Sequence, residues 1–286
     1  MASYWFGDVA GGVCRPCPGD EPDALSERLD LLIEKGDPYV PFTWEFAREC
    51  GFVHSREEYV GVLRSLCTMR AEKELGRIAG TPEMELVYMV RMLDQIDEAA
   101  NLLTGRALEW HAAKDPAFSR KFCEMRGQKA REVLAGSKNP VLSAIATEMA
   151  HLSEVRSALS REITALAADV MPNTSGLVGG VVAARLLSGA GGLARLARLP
   201  GATIQVMGAR IALFSHLRSG TPPPKHGIIY QHRRVHAAGK ARRGKVSRTL
   251  AAKLAIAARI DYYRGRPDPG FLESAGQAID RAGGRR

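Results

Sequence analysis

The chain has 286 residues, of which 45% are hydrophobic and 25% charged, and this composition predicts a globular protein of one large or two to three small domains. The start of the chain lacks a basic segment followed by an apolar run, so we predict no secretory signal and a cytoplasmic protein. The longest apolar stretch, residues 176–194, contains six glycines and Arg185. A membrane span is therefore not expected.

Charge is distributed unevenly along the chain. Residues 171–286 hold 20 Lys and Arg against 4 Asp and Glu, whereas residues 1–170 hold 20 against 27. Such asymmetry is typical of a basic part that binds a polyanion and an acidic part that faces protein or solvent. Charge alone leaves RNA, DNA and an anionic membrane open as partners.

Residues 1–80 are predicted to form a small mixed α/β domain. Residues 3–9 are aromatic and β-prone, residues 21–35 have the pattern of an amphipathic helix, and Ser55 with Glu58 forms a capping box that begins another helix. No chemistry is evident in this domain.

The five cysteines are an odd number in a compartment expected to be reducing, which argues against a disulfide framework. Cys14 and Cys17 could join Cys50 and His54 in a tetrahedral zinc site. The second pair lacks the usual Cys-x-x-Cys spacing, so we predict unligated thiols, no metal and no cofactor.

Residues 81–170 predict an antiparallel coiled-coil hairpin. Apolar residues recur three and four positions apart from Met89 to Trp110, and again from Leu142 to Val170 after the helix start at Asn139. Two such seams can pack on each other, and long protruding helices commonly offer a dimer surface.

Residues 171–265 form the third region, followed by a tail at 266–286. A small-residue helix is predicted from Asn173 or Thr174 through Leu187, before a glycine-rich break at residues 189–192. A phosphate-binding loop should follow a strand, whereas this break follows a helix, so we do not assign one.

The clearest pattern lies between residues 220 and 263. Prolines 222–224 fix the positions of Lys225 and His226, and the basic neighbours favour contact of His226 with a base or phosphate over a solvated loop histidine. The next helix, predicted for residues 240–263, places Lys245, Arg248 and further cations on one face. Residues 220–260 contain no acidic residue, which favours a surface that follows phosphates.

Four segments of this region closely resemble the Nop domain of archaeal scaffold proteins in box C/D ribonucleoproteins. They are Leu199-Pro200-x-x-Thr203-Ile204-Gln205-Val206-x-Gly208-Ala209, Ala212-Leu213-Phe214-x-His216-Leu217, Pro223-Pro224-Lys225-His226-Gly227-x-Ile229-Tyr230 and Ala251-x-Lys253-Leu254-Ala255-Ile256-Ala257-Ala258-Arg259-Ile260-Asp261-Tyr262. The resemblance is strong over residues 171–265 and extends in layout to residues 82–170. The family usually has Glu-Lys at residues 210–211 and Arg at residue 215, where this chain has Arg210, Ile211 and Ser215.

The resemblance implies a mainly α-helical, non-catalytic scaffold with three roles. Its all-helical Nop domain would bind a kink-turn guide RNA together with a kink-turn-binding ribosomal-type protein, its coiled coil would form a homodimer, and its shortened N-terminal domain would recruit fibrillarin for RNA-guided 2′-O-methylation of rRNA or tRNA. The implied RNA contacts are Lys225, His226, Arg233, Arg234, Arg242, Arg243, Lys245, Arg248, Arg210 and Ser215. The implied composite protein–RNA surface comprises Gly208, Ala209, Ala212, Leu213 and Phe214, and the implied dimer contacts are Leu103, Trp110, Leu152 and Leu159.

Two alternatives remain open. The first is a freestanding RNA-binding protein of the same family without a fibrillarin partner, which the short N-terminal half favours. The second is a methyltransferase, disfavoured because the basic region lacks a strand followed by a glycine-rich turn and any clustered nucleophile, base or metal set.

Overall fold

The computed structural model describes residues 2–11, 13–17, 21–35, 41–114 and 127–284. It divides into two compact units, Met1–Thr81 and Pro82–Arg286. The described part is mainly α-helical with a small antiparallel sheet at its beginning, which confirms the predicted fold class. Within the described ranges, no helix combines the length and apolarity that a membrane span requires.

In the first unit, the described residues form a three-stranded antiparallel sheet and three helices around an aromatic core. The strands are β1 (Ala2–Tyr4), β2 (Gly7–Ala10) and β3 (Val13–Pro16), in that order across the sheet, and the helices are α1 (Pro22–Lys35), α2 (Trp44–Glu49) and α3 (Arg56–Ala79). Phe6 is fully buried and stacks with its aromatic neighbours. At the start of α3 the Ser55 hydroxyl accepts a hydrogen bond from the backbone N–H of Glu58, as the capping box predicts.

A disulfide joins Cys14 to Cys50, so the prediction of unligated thiols at these two positions is wrong. β3 carries Cys14 to the end of α2, where the Cα atoms of the two cysteines lie 5.1 Å apart. The two cysteines are 36 positions apart in the sequence, and this spacing gives no sign of their proximity. The bond also removes two ligands from the zinc alternative, while Cys17 and Cys67 are free thiols.

The second unit begins with a helical hairpin. Helices α4 (Pro82–Lys114) and α6 (Pro140–Val170) pack antiparallel, with α5 (Gln128–Ala135) against both near the far end. Of the predicted seams, Leu93, Ala107, Leu142, Met149 and Ile163 are buried. Other positions along the hairpin are more open: Leu103 is 39%, Trp110 40% and Val155 53% exposed.

A helical array, residues 172–283, packs against the base of the hairpin. It comprises α7 (Pro172–Val178), α8 (Gly180–Ala190), α9 (Leu193–Arg198), α10 (Gly201–Val206), α11 (Arg210–Ser219), a 3₁₀ turn (Ile228–Gln231), α12 (Arg233–His236), α13 (Arg243–Arg264) and α14 (Pro269–Gly283). The single helix predicted through Leu187 is wrong, because Gly179 adopts a positive φ of 84° and separates α7 from α8.

Helix α13 forms the centre of this array. Its inward side is rich in alanine, which lets α7, α9, α10 and α14 approach closely. The segment after residue 265, set apart by sequence as a tail, forms α14. Its residues Ala275 and Ile279 are buried in the same core, so the array continues well beyond residue 265.

Candidate nucleic-acid interface

The outward face of α13 is basic and lacks carboxylates. Lys245 and Arg248 are exposed, and neither side chain forms a hydrogen bond or ion pair with any other described residue. The same holds for Lys225 and Arg233 on the segment that leads into the helix. Unpaired cations on a face without acidic residues are suited to phosphate binding.

Two hydrogen bonds, one between backbone groups and one from a side chain, hold the segment of residues 222–227 against the end of α10. The N–H of Gly227 donates to the Gln205 carbonyl at 2.9 Å, and the Gln205 side-chain amide donates to the Lys225 carbonyl at 2.9 Å. A Cβ at residue 227 would lie 1.9 Å from the Met207 carbonyl oxygen, so only glycine permits this approach. The positions of Lys225 and His226 thus depend on hydrogen bonds to Gln205 at the end of α10.

His226 already has an aromatic partner within the chain. Its ring stacks on Tyr230, with ring centroids 4.3 Å apart, and the Arg243 guanidinium lies 5.3 Å from the Tyr230 ring centroid. Burial, followed by the nearby charge of Arg243, lowers the pKa of His226 below its usual range. One face of the imidazole is therefore occupied, and a neutral ring is favoured.

Three of the predicted RNA-binding arginines make contacts within the protein. Arg234 pairs with Asp280 at 3.0 Å, Arg242 donates to the Gly283 carbonyl at 3.3 Å, and Arg243 donates to the Ala238 carbonyl at 3.2 Å. These contacts tie α12 and the start of α13 to surrounding structure, including α14. The sequence could not distinguish these arginines from the unpaired cations, because their partners are distant in the chain or are backbone carbonyls.

Helix α11 projects an apolar face that nothing in the described structure covers. Ile211 is 88%, Phe214 64% and Leu217 71% exposed, and none of the helix's ten residues is buried. Arg210 and Ala212 are also exposed, and Ser215 accepts a weak hydrogen bond from Thr221. Ile211 and Leu217 were not named individually from the sequence as part of this apolar face. Each lies three residues from Phe214, however, and this spacing places all three on one side of a helix.

The glycine-rich turn before α9 receives a carboxylate from the protein itself. The Glu83 Oε1 atom accepts a hydrogen bond from the Leu193 N–H at 2.8 Å. A phosphate would need the position that this carboxylate occupies.

A polar junction that the sequence did not predict links the hairpin to the interface. The Arg185 side chain, only 15% exposed, pairs with Asp94 and Asp97 of α4 and donates to Gln231 of the 3₁₀ turn. Asp97 also pairs with Arg156 of α6. Residues from four elements meet here, one position from Tyr230.

Comparison with known proteins identifies the family. Residues 119–281 match the family model named Nop, described as a snoRNA-binding domain and associated with fibrillarin. The chain belongs to the Nop family. The match includes α11, the proline segment and α13, together with most of α14.

Two curated relatives extend the Nop similarity. An uncharacterised NOP5 family protein of Methanocaldococcus jannaschii is 31% identical over 255 residues, which cover 77% of this chain and 62% of the relative. Nucleolar protein 56 of Homo sapiens is 28% identical over 235 residues, which cover 68% of this chain and 40% of the relative. The chain therefore spans less than two thirds of the length of these curated relatives.

A solved structure is similar over nearly the whole chain. A chain in the crystal structure of a fibrillarin/Nop5p complex matches with a TM-score of 0.51 and 30% sequence identity. The match covers 98% of this chain and 98% of that one, so it includes the first unit as well as the Nop array.

Proposed function

We propose that this Nop protein is a non-catalytic scaffold of a box C/D ribonucleoprotein. Its array would bind a kink-turn guide RNA together with a kink-turn-binding ribosomal-type protein, and its first unit would recruit fibrillarin. Fibrillarin would then carry out RNA-guided 2′-O-methylation of rRNA or tRNA. The family model supports RNA binding, and the similarity to a chain in the fibrillarin/Nop5p crystal structure supports fibrillarin recruitment.

One observation carries the RNA half of this proposal: the uncovered apolar face of α11 belongs to the same array as a basic surface without carboxylates. Phosphates would satisfy the cations, but they offer little to Ile211, Phe214 and Leu217. An apolar protein surface would cover these three side chains. A partner that combines RNA with a bound protein fits both features.

In this proposal the unpaired cations contact RNA directly, and the paired arginines shape the surface. Lys225, Arg233, Lys245 and Arg248 would bind phosphates, with Arg210 and Ser215 at the edge of α11. Arg234, Arg242 and Arg243 would act mainly through the protein contacts described above, and His226 would present its free face or ring edge to the RNA. Gly208, Ala209, Ala212 and Leu213 would complete the composite surface around Phe214.

The experiment for α11 uses Phe214→Asp and Ile211→Asp in the full chain. Since both side chains are exposed, we expect an unchanged circular dichroism spectrum and melting temperature. We also expect a loss of about tenfold or more in affinity for the kink-turn RNA–protein complex, since apolar anchors dominate interface energies. Leu75→Asp, at an exposed apolar position of α3, is the matched control. Wild-type affinity in both α11 variants would refute the composite surface.

Fibrillarin recruitment is tested by co-purification with the full chain and with a chain that begins at Pro82. The full chain should retain fibrillarin, and the shortened chain should lose it while still binding RNA. Failure of the full chain to retain fibrillarin would favour the freestanding RNA-binding alternative. Retention by the shortened chain would refute the assignment of docking to the first unit.

The coiled-coil hairpin is proposed as the homodimer contact, through Leu103, Trp110, Leu152 and Leu159. The exposure of Leu103 and Trp110 on α4, together with that of Val155 on α6, supports an apolar contact along the hairpin. We expect Leu103→Glu to convert a dimer to a monomer in sedimentation equilibrium. A wild-type chain that is monomeric at all concentrations would refute this contact.

A further inference from the structure

A groove of about 480 Å³ runs between α10 and α13 and shares one residue, Arg248, with the contacts proposed above for kink-turn RNA. Pro200, Ala202 and Gln205 form one side, and Ala252 and Ile256 lie along the other. The two helices meet closely because residue 201 is glycine: a Cβ there would lie 3.1 Å from the Ala252 Cα. This approach produces a shallow apolar floor.

The groove belongs to a continuous exposed stripe along α13. At 100° per residue, six outward residues fall within an arc of about 80°, and the 18 positions they span correspond to about 27 Å. It contains three cations, two apolar residues and one aromatic residue. The stripe consists of Lys245, Arg248, Ala252, Ile256, Arg259 and Tyr263.

Two arginines mark the ends of the groove. Arg248 has no hydrogen-bonding or ion-pair partner among the described residues, and Arg259 donates only its Nε–H, to the Ala197 carbonyl at 3.1 Å. The remaining guanidinium donors of Arg259 are free for a ligand. Among the described residues no carboxylate lines the groove, and the surrounding sequence has none from residue 220 to residue 260. The groove is therefore suited to an anionic ligand.

The apolar part of the stripe favours unpaired nucleotides over a duplex. An A-form helix presents phosphates and 2′-hydroxyls, which would leave Ile256 and Tyr263 without partners. Ile256 is 40% exposed and Tyr263 72% exposed. Unpaired bases can stack on an aromatic ring and cover an apolar floor while their phosphates contact guanidinium groups.

We propose that the α10–α13 groove binds a short single-stranded RNA segment, with phosphates on Arg248 and Arg259 and a base stacked on Tyr263. Arg248 and Arg259 are eleven residues apart, about 16 Å along the helix, which matches about three to five nucleotides. The Gln205 side chain lines the groove and also donates to the Lys225 carbonyl, so the groove begins beside the proposed kink-turn contact. This inference rests on the proposed function, since the segment would be RNA that leaves the kink-turn.

The test compares two RNAs in complex with the kink-turn-binding protein. One is a blunt kink-turn RNA, and the other carries a single-stranded extension of six uridines, added to each strand end in turn. We expect an extension at one end to tighten binding of the full chain by at least about fivefold. Tyr263→Ala and Ile256→Glu should abolish this gain and leave the affinity for blunt RNA unchanged.

Tyr88→Ala is the matched control, because Tyr88 is an exposed tyrosine of α4, 52% exposed, that does not line the groove, whereas the ring of Tyr262 contacts that of Tyr263. This control variant should still bind the extended RNA more tightly than the blunt RNA. 4-Thiouridine in the extension should crosslink to residues 252–263, and hexaglutamate should not displace the extended RNA. These three results would separate RNA binding in the groove from structural damage and from a site for acidic peptides.

The proposal is overturned if neither extension tightens wild-type binding, or if both groove variants retain the gain. It is also overturned if hexaglutamate competes as well as hexauridine, or if the groove variants weaken blunt RNA equally. The wild type could instead bind hexauridine but not the blunt kink-turn RNA, with hexauridine binding lost in Tyr263→Ala. This result would support the groove as an RNA site and refute the proposed kink-turn function. Binding to none of these RNAs would refute both.

Discussion

For individual residues, position in the sequence did not predict which cations have partners within the protein. Arg234, Arg242, Arg243 and Lys245 look equivalent as letters in a basic segment. In the folded chain, three of them have protein partners, and Lys245 has none among the residues that the structure describes. A cation's role therefore depends on whether an oxygen of the folded protein binds it.

The Cys14–Cys50 disulfide should stabilise the first unit. The bond closes a loop with a sequence separation of 36 and so lowers the entropy of the unfolded chain. In the chain-entropy account, this raises the free energy of unfolding by about 3–4 kcal/mol. We expect Cys50→Ser, or reduction with a thiol, to lower the free energy of unfolding of this unit by about that amount in urea denaturation. Cys67→Ser, at an exposed free thiol, is the control. Equal stability of the oxidised and reduced chains would show that the bond contributes nothing.

Two partly buried histidines should make the stability of the second unit depend on pH. Burial, followed by neighbouring arginines, lowers the pKa of both His226 and His232 from 6.5. The unfolded chain then binds more protons than the folded chain as the pH falls below about 6.5, so stability is complete above that value and declines toward the lowered pKa values.

We therefore expect the free energy of unfolding to decrease between pH 7.5 and pH 5, and to decrease less in the double variant His226→Gln/His232→Gln. Urea denaturation at each pH measures this difference. His236→Gln, at an exposed position, should behave like the wild type. An identical pH slope in the double variant would contradict the assignment.

At the scale of elements, a buried carboxylate from α13 secures the beginning of α7. Asp261 is 3% exposed and accepts hydrogen bonds from the Asn173 N–H, the Asn173 side-chain amide and the Thr174 N–H, each at 2.8 Å. Because these donors would be left buried and unpaired, we expect Asp261→Ala to cost about 2–4 kcal/mol of stability. Chemical denaturation measures the change. Glu273→Ala is the exposed control, and a loss no larger than that of the control would contradict this role.

The exposed face of α13 should control the salt dependence of RNA binding. Each phosphate contact contributes about 0.9 to the slope of log affinity against log salt on a duplex. We expect Lys245→Gln and Arg248→Gln each to reduce this slope by about one unit in a titration from low to high salt. Arg281→Gln, an exposed cation at the end of α14, should leave the slope unchanged. An unchanged slope in the first two variants would refute phosphate contact by this face.

The organisation of elements was partly predictable because it follows from local patterns. The capping box at Ser55, the hairpin seams and the carboxylate-free helix at residues 243–264 depend on neighbours within a few turns. The break at Gly179, the packing of α14 and the contacts of Asp261 were not predictable. They depend on backbone torsion and on side chains that are distant in sequence.

At the scale of the whole molecule, the charge asymmetry of the sequence has a structural counterpart. The acid-free segment becomes one exposed face of α13 and its leading loop, within a second unit that also holds α11. Sequence was sufficient to locate this surface and the family. The sequence could not show which cations lack partners, or that the apolar side of α11 is uncovered, among the residues that the structure describes. Both properties depend on how the rest of the chain folds around these side chains.

The most direct test of the scaffold account is a gel shift of the full chain with a box C/D kink-turn RNA at physiological salt, with and without the kink-turn-binding protein. The account predicts binding to the preformed RNA–protein complex and at most weak binding to the RNA alone. Equal binding to any RNA, regardless of the second protein, would contradict it. The basic face would then be a general polyanion site, and α11 would have no part in recognition.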